Sequence, residues 1–205
     1  MALRLQKGRK SLLISAGVHP EYIEVIRTYV ENLGVDIKIV PLNSAGTTSE
    51  TELSAQLSED VTAVVVQSPN FMGCIENQET LAGLSKKFGA LFVSSVTEPL
   101  SLGLVNPPGY YGLPLAYGGP YVGLFTSKFE NVRQMPGRLC GETVDSKNRR
   151  SYTLTLSTRE QHIRREKATS NICTNQNLMA LWATIWLAMV GKQGFKELAQ
   201  QNLGK

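Results

Sequence analysis

The sequence predicts an α/β fold, a mostly parallel sheet flanked by helices. Short apolar runs at 11–15, 35–41, 62–67 and 90–96 alternate with amphipathic, helix-patterned stretches between them. The spacings between runs are too long for hairpins, which leaves crossover connections and parallel pairing. The run from Thr62 to Gln67, with Ala-Val-Val-Val inside, is continuous rather than alternating, the pattern of a strand buried on both faces.

Each element has its own signal. Residues Met1 to Lys10 form a basic tail, and Ser11 to Ser15 is the first strand. His19-Pro20 opens a helix, with proline in the first turn where its missing N–H costs nothing. Ile23, Ile26, Tyr29, Val30 and Leu33 form its apolar stripe, and Gly34 ends it before the strand Val35 to Pro41. Ser49-Glu50-Thr51-Glu52 is a capping box for a helix through Leu57. After the strand Thr62 to Gln67, Ser68 to Gly73 is a loop. Asn77 to Phe88 is a helix with Leu81, Leu84 and Phe88 inward, closed by Gly89, and Ala90 to Val96 is the fourth strand. In open sheets of this type ligands sit beyond the C-terminal strand ends. The loops Ala16 to Pro20 (with His19), Ser68 to Gly73 and Thr97 to Pro99 (with Glu98) belong there.

From Asn106 to Gly123 the chain becomes rich in Gly, Pro and Tyr, which marks tight turns and close backbone approach. Val122 to Thr126 reads as a short strand, and Met135-Pro136-Gly137 breaks the helix that follows it. Arg138 to Ser151 is a polar, charged excursion able to reach a partner, and Ser151 to Ser157 alternates like an edge strand. Thr158 and Gln161 form a second capping box. Asn175 caps the last large helix, Gln176 to Val190, whose apolar character nearly all round predicts burial. Gly191 stops it, and an amphipathic piece from Phe195 to Leu203 follows.

Composition narrows the function classes. With 42% hydrophobic and 19% charged residues over 205 positions, the chain has the make-up of an ordinary globular protein. Its net charge of +4 includes no basic run long enough to argue for nucleic acid. Glu160 and Glu166 interleave Arg164, Arg165 and Lys167. The apolar stretch Leu178 to Val190 falls short of the roughly 20 residues a membrane span needs. Cys74, Cys140 and Cys173 are widely spaced and odd in number, which predicts buried thiols in a reducing, cytoplasmic setting. His19 and His162 have no companion at ligand spacing, so no metal site is expected.

The stretch Ser157 to Gln176 stands apart. It packs four cations, two anions and a histidine into its first eleven residues, then runs through Thr169, Ser170, Asn171 and their neighbours with almost no apolar content. Such side chains compete with the backbone for hydrogen bonds and suit a polar cavity or interface. A solvated charged helix followed by the next helix's N-cap would show the same composition.

Four segments carry a family resemblance: Arg-Gln-Met-Pro-Gly-Arg (133–138), Gly-Glu-Thr-Val-Asp (141–145), the run 158–176, and Leu-Pro-Leu-Ala-Tyr-Gly-Gly-Pro-Tyr-Val-Gly (113–123). Together with His-Pro-Glu-Tyr (19–22) and Val-Val-Val-Gln-Ser-Pro-Asn-Phe-Met-Gly (64–73), the chain resembles the glycine cleavage system P-proteins, and within them subunit 1 of the two-subunit glycine dehydrogenase (decarboxylating). The resemblance implies the large domain of a fold-type I pyridoxal-phosphate-dependent transferase, one domain over 1–205 without the C-terminal small domain. It implies that glycine is decarboxylated and its aminomethyl group passed to the lipoyl H-protein. It places the Schiff-base lysine, and most of the pyridoxal phosphate contacts, on subunit 2.

The residues agree with that division. No lysine occurs between Lys87 and Lys128, where the cofactor lysine belongs, and Lys128 has surface-like neighbours. Glu98 stands where such enzymes place the acid facing the pyridine nitrogen; it also reads as a strand-ending residue before Pro99. Arg164, Arg165, Thr169, Ser170 and Asn171 then face the partner's active site, guanidinium groups suiting a carboxylate or phosphate. One departure stands out: Gly109-Tyr110-Tyr111-Gly112 directly joins segments between which the family has a further strand and turn. A catalytically silent scaffold, or a truncated remnant, that only assembles with a partner is therefore the alternative, and the isolated chain is expected to be inactive.

Overall fold

The computed structural model describes residues 1–97, 101, 122–168 and 177–204. They fall into two compact units, one of residues 2–124 and 178–205, the other of Phe125–Asn177 with Met1.

The first unit holds the sheet. Helix α1 (Ala2–Leu5) precedes β1 (Ser11–Ser15), α2 (Pro20–Val30), β2 (Asp36–Val40), α3 (Glu50–Gln56), β3 (Val61–Gln67), α4 (Gln78–Lys87) and β4 (Leu91–Ser95). The four strands run in the order β2-β1-β3-β4, every neighbouring pair parallel. The expected parallel sheet is present, with the four strands expected between residues 11 and 96 in place.

Both faces are covered, as the continuous apolar β3 requires. Leu13, Val64 and Val66 face Leu53, Leu57 and Leu81 from the α3 and α4 side. Their sequence neighbours Leu12, Ile14, Ala63 and Val65 face Ile23 and Ile26 of α2. Val61 breaks the alternation by joining the Val64 side, because the β1–β3 register shifts between Ser11 and Leu12. The hydroxyls of Ser11 and Thr62, at that irregularity, are buried without a hydrogen-bond partner among the described residues.

Local signals explain the helix ends. The Ser49 side chain accepts from the Glu52 N–H at 3.3 Å, half of the expected capping box; the other half is missing because the Ser49 N–H donates to Pro41 O at 3.0 Å. The apolar stripe of α2 is only partly realised. Ile23 and Ile26 pack on the core, whereas Tyr29 and Leu33 are exposed. The sheet ends at β2, so the second half of this helix has less sheet to cover.

The last helix overturns an expectation. Helix α6 spans Asn177–Leu203 as two helical segments that meet at Gly191, whose φ of 63° and ψ of 178° are non-helical, so the expected stop at Gly191 and the separate piece after it are both present. Its first half is not buried: Leu178, Leu181, Trp182, Ile185 and Met189 form an exposed stripe, and only Ala183 and Ala199 are buried. All-round apolarity reports the need for cover, and the described residues do not supply it. The proposed cap, Asn175, lies outside the described residues.

The second unit differs from its reading in three ways. Residues 122–128 carry no regular structure where a strand was expected, and a 3-10 turn at Phe129–Gln134 ends before Pro136. The polar excursion is a hairpin: β5 (Leu139–Val144) pairs antiparallel with β6 (Arg150–Thr155) around a turn at Asp145–Arg149. That turn is closed by Asp145, whose carboxylate accepts from the Lys147 and Arg149 N–H groups and from the Arg149 guanidinium at 2.8–2.9 Å. Helix α5 is one turn long, Gln161–Arg164, and its N-cap is Glu160 without a side-chain capping bond, so the Thr158–Gln161 box does not form. Of its residues only Ile163 is a large hydrophobe, and that side chain is exposed, so no apolar face sustains a longer helix.

Candidate functional site

The strand order reverses between β1 and β3, where successive strands begin to be added on the other side, the point at which parallel open sheets form their crevice. A buried polar network ties three strand-end loops together there. The Ser15 hydroxyl pairs with that of Thr48 at 2.7 Å and accepts from the Gly17 N–H at 3.0 Å. Glu76 accepts from the Thr48 N–H at 2.9 Å with one oxygen and from Asn70 Nδ2 at 2.8 Å with the other. Asn70 Nδ2 also donates to Gly46 O at 2.8 Å, while Asn70 Oδ1 accepts from the Met72 and Cys74 N–H groups at 3.0 Å. Glu76 is only 5% exposed and Asn70 only 4%. A carboxylate so buried is stable only when its oxygens are hydrogen-bonded, as both are.

This frame presents an aromatic edge. The Phe71 N–H donates to Gly17 O at 2.7 Å, and the His19 N–H to Gln67 Oε1 at 2.9 Å. The His19 ring lies edge-on to Phe71 at 4.8 Å and tilted against Tyr22 at 5.1 Å. Its Nδ1 caps α2 by accepting from the Glu21 N–H at 3.2 Å. Phe71, Met72 and Ile75 are exposed beside it.

The other sequence candidates divide. Arg164 and Arg165 belong to the second unit and are exposed; Arg165, with φ 53°, ends the single turn of α5. Glu98, Thr169, Ser170 and Asn171 lie outside the described residues, as does Cys173. Cys140 is exposed, against the expected buried thiol, because it sits on the open face of the hairpin; Cys74 is partly buried. Among the described residues no His, Cys, Asp and Glu group could hold a metal ion, and no helix is long and apolar enough to cross a membrane.

Sequence reasoning missed Glu76 and the network around it. A glutamate directly before the α4 cap Asn77 reads as an ordinary first-turn acid. The available signal was Gln67, a polar residue closing an otherwise apolar strand, which is 3% exposed.

Pyridoxal phosphate is the cofactor the resemblance implies. No lysine stands on the described strand-end loops at 16–19, 41–49 or 68–77, and the polar atoms of Asn70 and Glu76 are engaged in holding those loops. Lys128 is exposed beside Glu130, at 3.8 Å. The described residues therefore do not fit a covalently held pyridoxal phosphate by themselves.

The family model of the glycine cleavage system P-protein matches residues 1–205. The probable glycine dehydrogenase (decarboxylating) subunit 1 of Koribacter versatilis is 53% identical over 216 residues, spanning 100% of this chain and 48% of that protein. The probable subunit 1 of Dictyoglomus turgidum is 43% identical, over 98% of this chain and 47% of that protein. A crystal structure of glycine decarboxylase (P-protein) of the glycine cleavage system, in inhibitor-bound form, superposes with a TM-score of 0.83 at 44% identity, covering 96% of this chain and 46% of that one. The chain thus spans about half the length of the relatives it matches. The 216 aligned residues exceed the 205 of this chain, so positions of the first relative have no counterpart here.

Proposed function

The chain belongs to the glycine cleavage system P-protein family, and from that premise we propose that it forms part of the non-lysine subunit of a glycine decarboxylase. With the lysine-bearing subunit 2 it decarboxylates glycine and passes the aminomethyl group to the lipoyl arm of the H-protein. Pyridoxal phosphate, held mainly by the partner subunit, supplies the electron sink for loss of CO2. In this reading the residues form one piece of the large domain, and the complex is cytoplasmic.

The observation that carries the reading is the pairing of a family match over the whole chain with strand-end loops that hold no lysine among the described residues. The reactive amine then comes from the partner. This chain's own part is to bind and orient. Arg164 and Arg165, exposed on their short helical segment, are free of the core and suit a carboxylate or phosphate bidentately. Thr169, Ser170 and Asn171 follow them in sequence and offer further hydrogen-bonding side chains. His19 stands on the strand-end loop after β1.

The test is reconstitution. Mixing the chain with subunit 2 and H-protein is expected to give glycine-dependent CO2 exchange that the chain alone lacks. Arg165→Ala and Asn171→Ala are each expected to lower that exchange about tenfold or more, the scale of a lost charge-assisted hydrogen bond. Unchanged exchange in both variants removes their role.

The lack of a lysine on those loops also favours a second reading, a silent scaffold. Full exchange by subunit 2 with H-protein, without this chain, would decide for it.

A further inference from the structure

We propose that His19 binds substrate or cofactor at the strand-end crevice, its Nε2–H being a preset donor for an anionic oxygen, a carboxylate or a phosphate. The inference rests on the function proposed above and deepens it by giving one residue of the chain a stated role.

The ring is held at three points. Its Nδ1 accepts from the Glu21 N–H at 3.2 Å, which requires a lone pair there and places the proton of the neutral imidazole on Nε2. Phe71, edge-on at 4.8 Å, and Tyr22, tilted at 5.1 Å, fix the ring plane. The main chain is fixed as well, because the His19 N–H donates to Gln67 Oε1 at 2.9 Å. Gln67, only 3% exposed, closes the buried strand β3, and its Nε2 donates to Pro69 O at 3.1 Å and to Thr97 Oγ1 at 3.4 Å. One buried amide thus ties the loop that carries His19 to the loops that follow β3 and β4.

Capping alone does not call for an imidazole, since Ser, Thr, Asp or Asn would satisfy the Glu21 N–H with fewer atoms. The backbone of this helix end has no donor to spare. The Tyr22 and Ile23 N–H groups donate to His19 O at 2.9 and 3.2 Å, and Pro20 has none. What remains is the imidazole Nε2, which has no hydrogen-bond partner among the described residues and belongs to a half-buried side chain. A donor fixed before its ligand arrives needs no reordering on binding. It calls for an acceptor, and the positive end of α2 favours an anionic one; the exposed Glu21 weakens that field without occupying the donor. In the proposed reaction the glycine carboxylate and the phosphate of pyridoxal phosphate supply such oxygens.

Two substitutions separate the two nitrogens. In His19→Asn the amide oxygen takes over the cap and the Nε2 donor is lost; in His19→Gln the amide nitrogen reaches the place of Nε2 and the cap is lost. His19→Asn is expected to keep the parental Tm. In the complex with subunit 2 and H-protein it should raise one constant about tenfold or more, the KM for glycine if the carboxylate is bound or the Kd for pyridoxal phosphate if the phosphate is. His19→Gln is expected to lower the Tm yet keep both constants within about threefold of the parent. A histidine that only caps gives the reverse, and parental constants in His19→Asn overturn the proposal. Long-range proton–nitrogen NMR correlation on the labelled chain is expected to show the Nε2–H tautomer, with His19→Asn assigning the signal; an Nδ1–H tautomer overturns the proposal as well. Should His19→Asn also lower the Tm, or the parental complex exchange no CO2, the labelled chain mixed with subunit 2 decides. A His19 Nε2 resonance shifted by added glycine or pyridoxal phosphate supports the proposal, and one that neither moves overturns it. Absent exchange with a shifted resonance condemns the functional reading alone, and intact exchange with parental constants in His19→Asn condemns the role of His19 alone.

Discussion

Removing the Glu76 carboxylate is predicted to loosen the whole C-terminal edge of the sheet. In Glu76→Ala the Thr48 N–H, in a residue only 3% exposed, loses its acceptor, and Asn70 Nδ2 keeps only Gly46 O. An orphaned buried donor costs about 1–3 kcal/mol and a hydrogen bond to a charged acceptor contributes about 1.5–3. Relief of the desolvated carboxylate offsets part of this, leaving a loss of about 3 kcal/mol. For a chain of this length that corresponds to a fall in Tm of about 6–12 °C. Glu76→Gln keeps an acceptor for one donor but turns an amide NH2 on the other, so about half the loss is expected. Thermal unfolding followed by circular dichroism measures the global effect, and hydrogen exchange at the Thr48 amide measures the local one. A Tm for Glu76→Ala within about 1 °C of the parent, with Thr48 still protected, would refute the network as the clamp of these loops.

Three further outcomes follow from single observations. A Cβ at Gly17 would lie 3.0 Å from Asn70 Cβ and 3.1 Å from its Nδ2, so Gly17→Ala is expected to destabilise by about 1–3 kcal/mol, read as a lowered urea midpoint. Arg9 Nη1 donates to Val61 O at 2.8 Å and to Phe88 O at 2.9 Å, and Arg9→Ala should cost about 1–2 kcal/mol in the same assay. The Asp145 carboxyl is held below its usual range, chiefly by the Arg149 N–H, then by the Arg149 guanidinium and the Lys147 N–H. Its folded pKa being depressed, the turn's gain is complete above the unfolded carboxylate value of about 3.9 and is lost as pH falls through the folded value. Amide chemical shifts of Lys147 and Arg149 should titrate in that acidic window, and Asp145→Asn should abolish the titration.

How much was legible in the sequence varies along the chain. Short-range signals carried the sheet: the runs at Ser11, Asp36, Val61 and Leu91 form strands because apolar, β-branched residues between amphipathic helices have few other ways to be buried. The cap at Ser49 was legible because it depends on residues three apart. The hairpin hid inside a polar excursion, since its closing element is the Asp145–Arg149 pairing rather than an Asn-Gly turn.

By itself the sequence determined the four strands of the parallel sheet, the helix starts in the first half, the family, and the lack of lysine along 88–127, all matters of composition and local spacing. Only the tertiary structure decided that β1 and β3 flank the crevice, that Glu76 joins Thr48 to Asn70 across 28 and 6 residues, and that the apolar stripe of α6 lies open. The reason is physical. Strand order and long-range hydrogen bonds depend on which loops the fold brings together, and burial of a helix depends on what is present to cover it, neither of which a local window of residues contains.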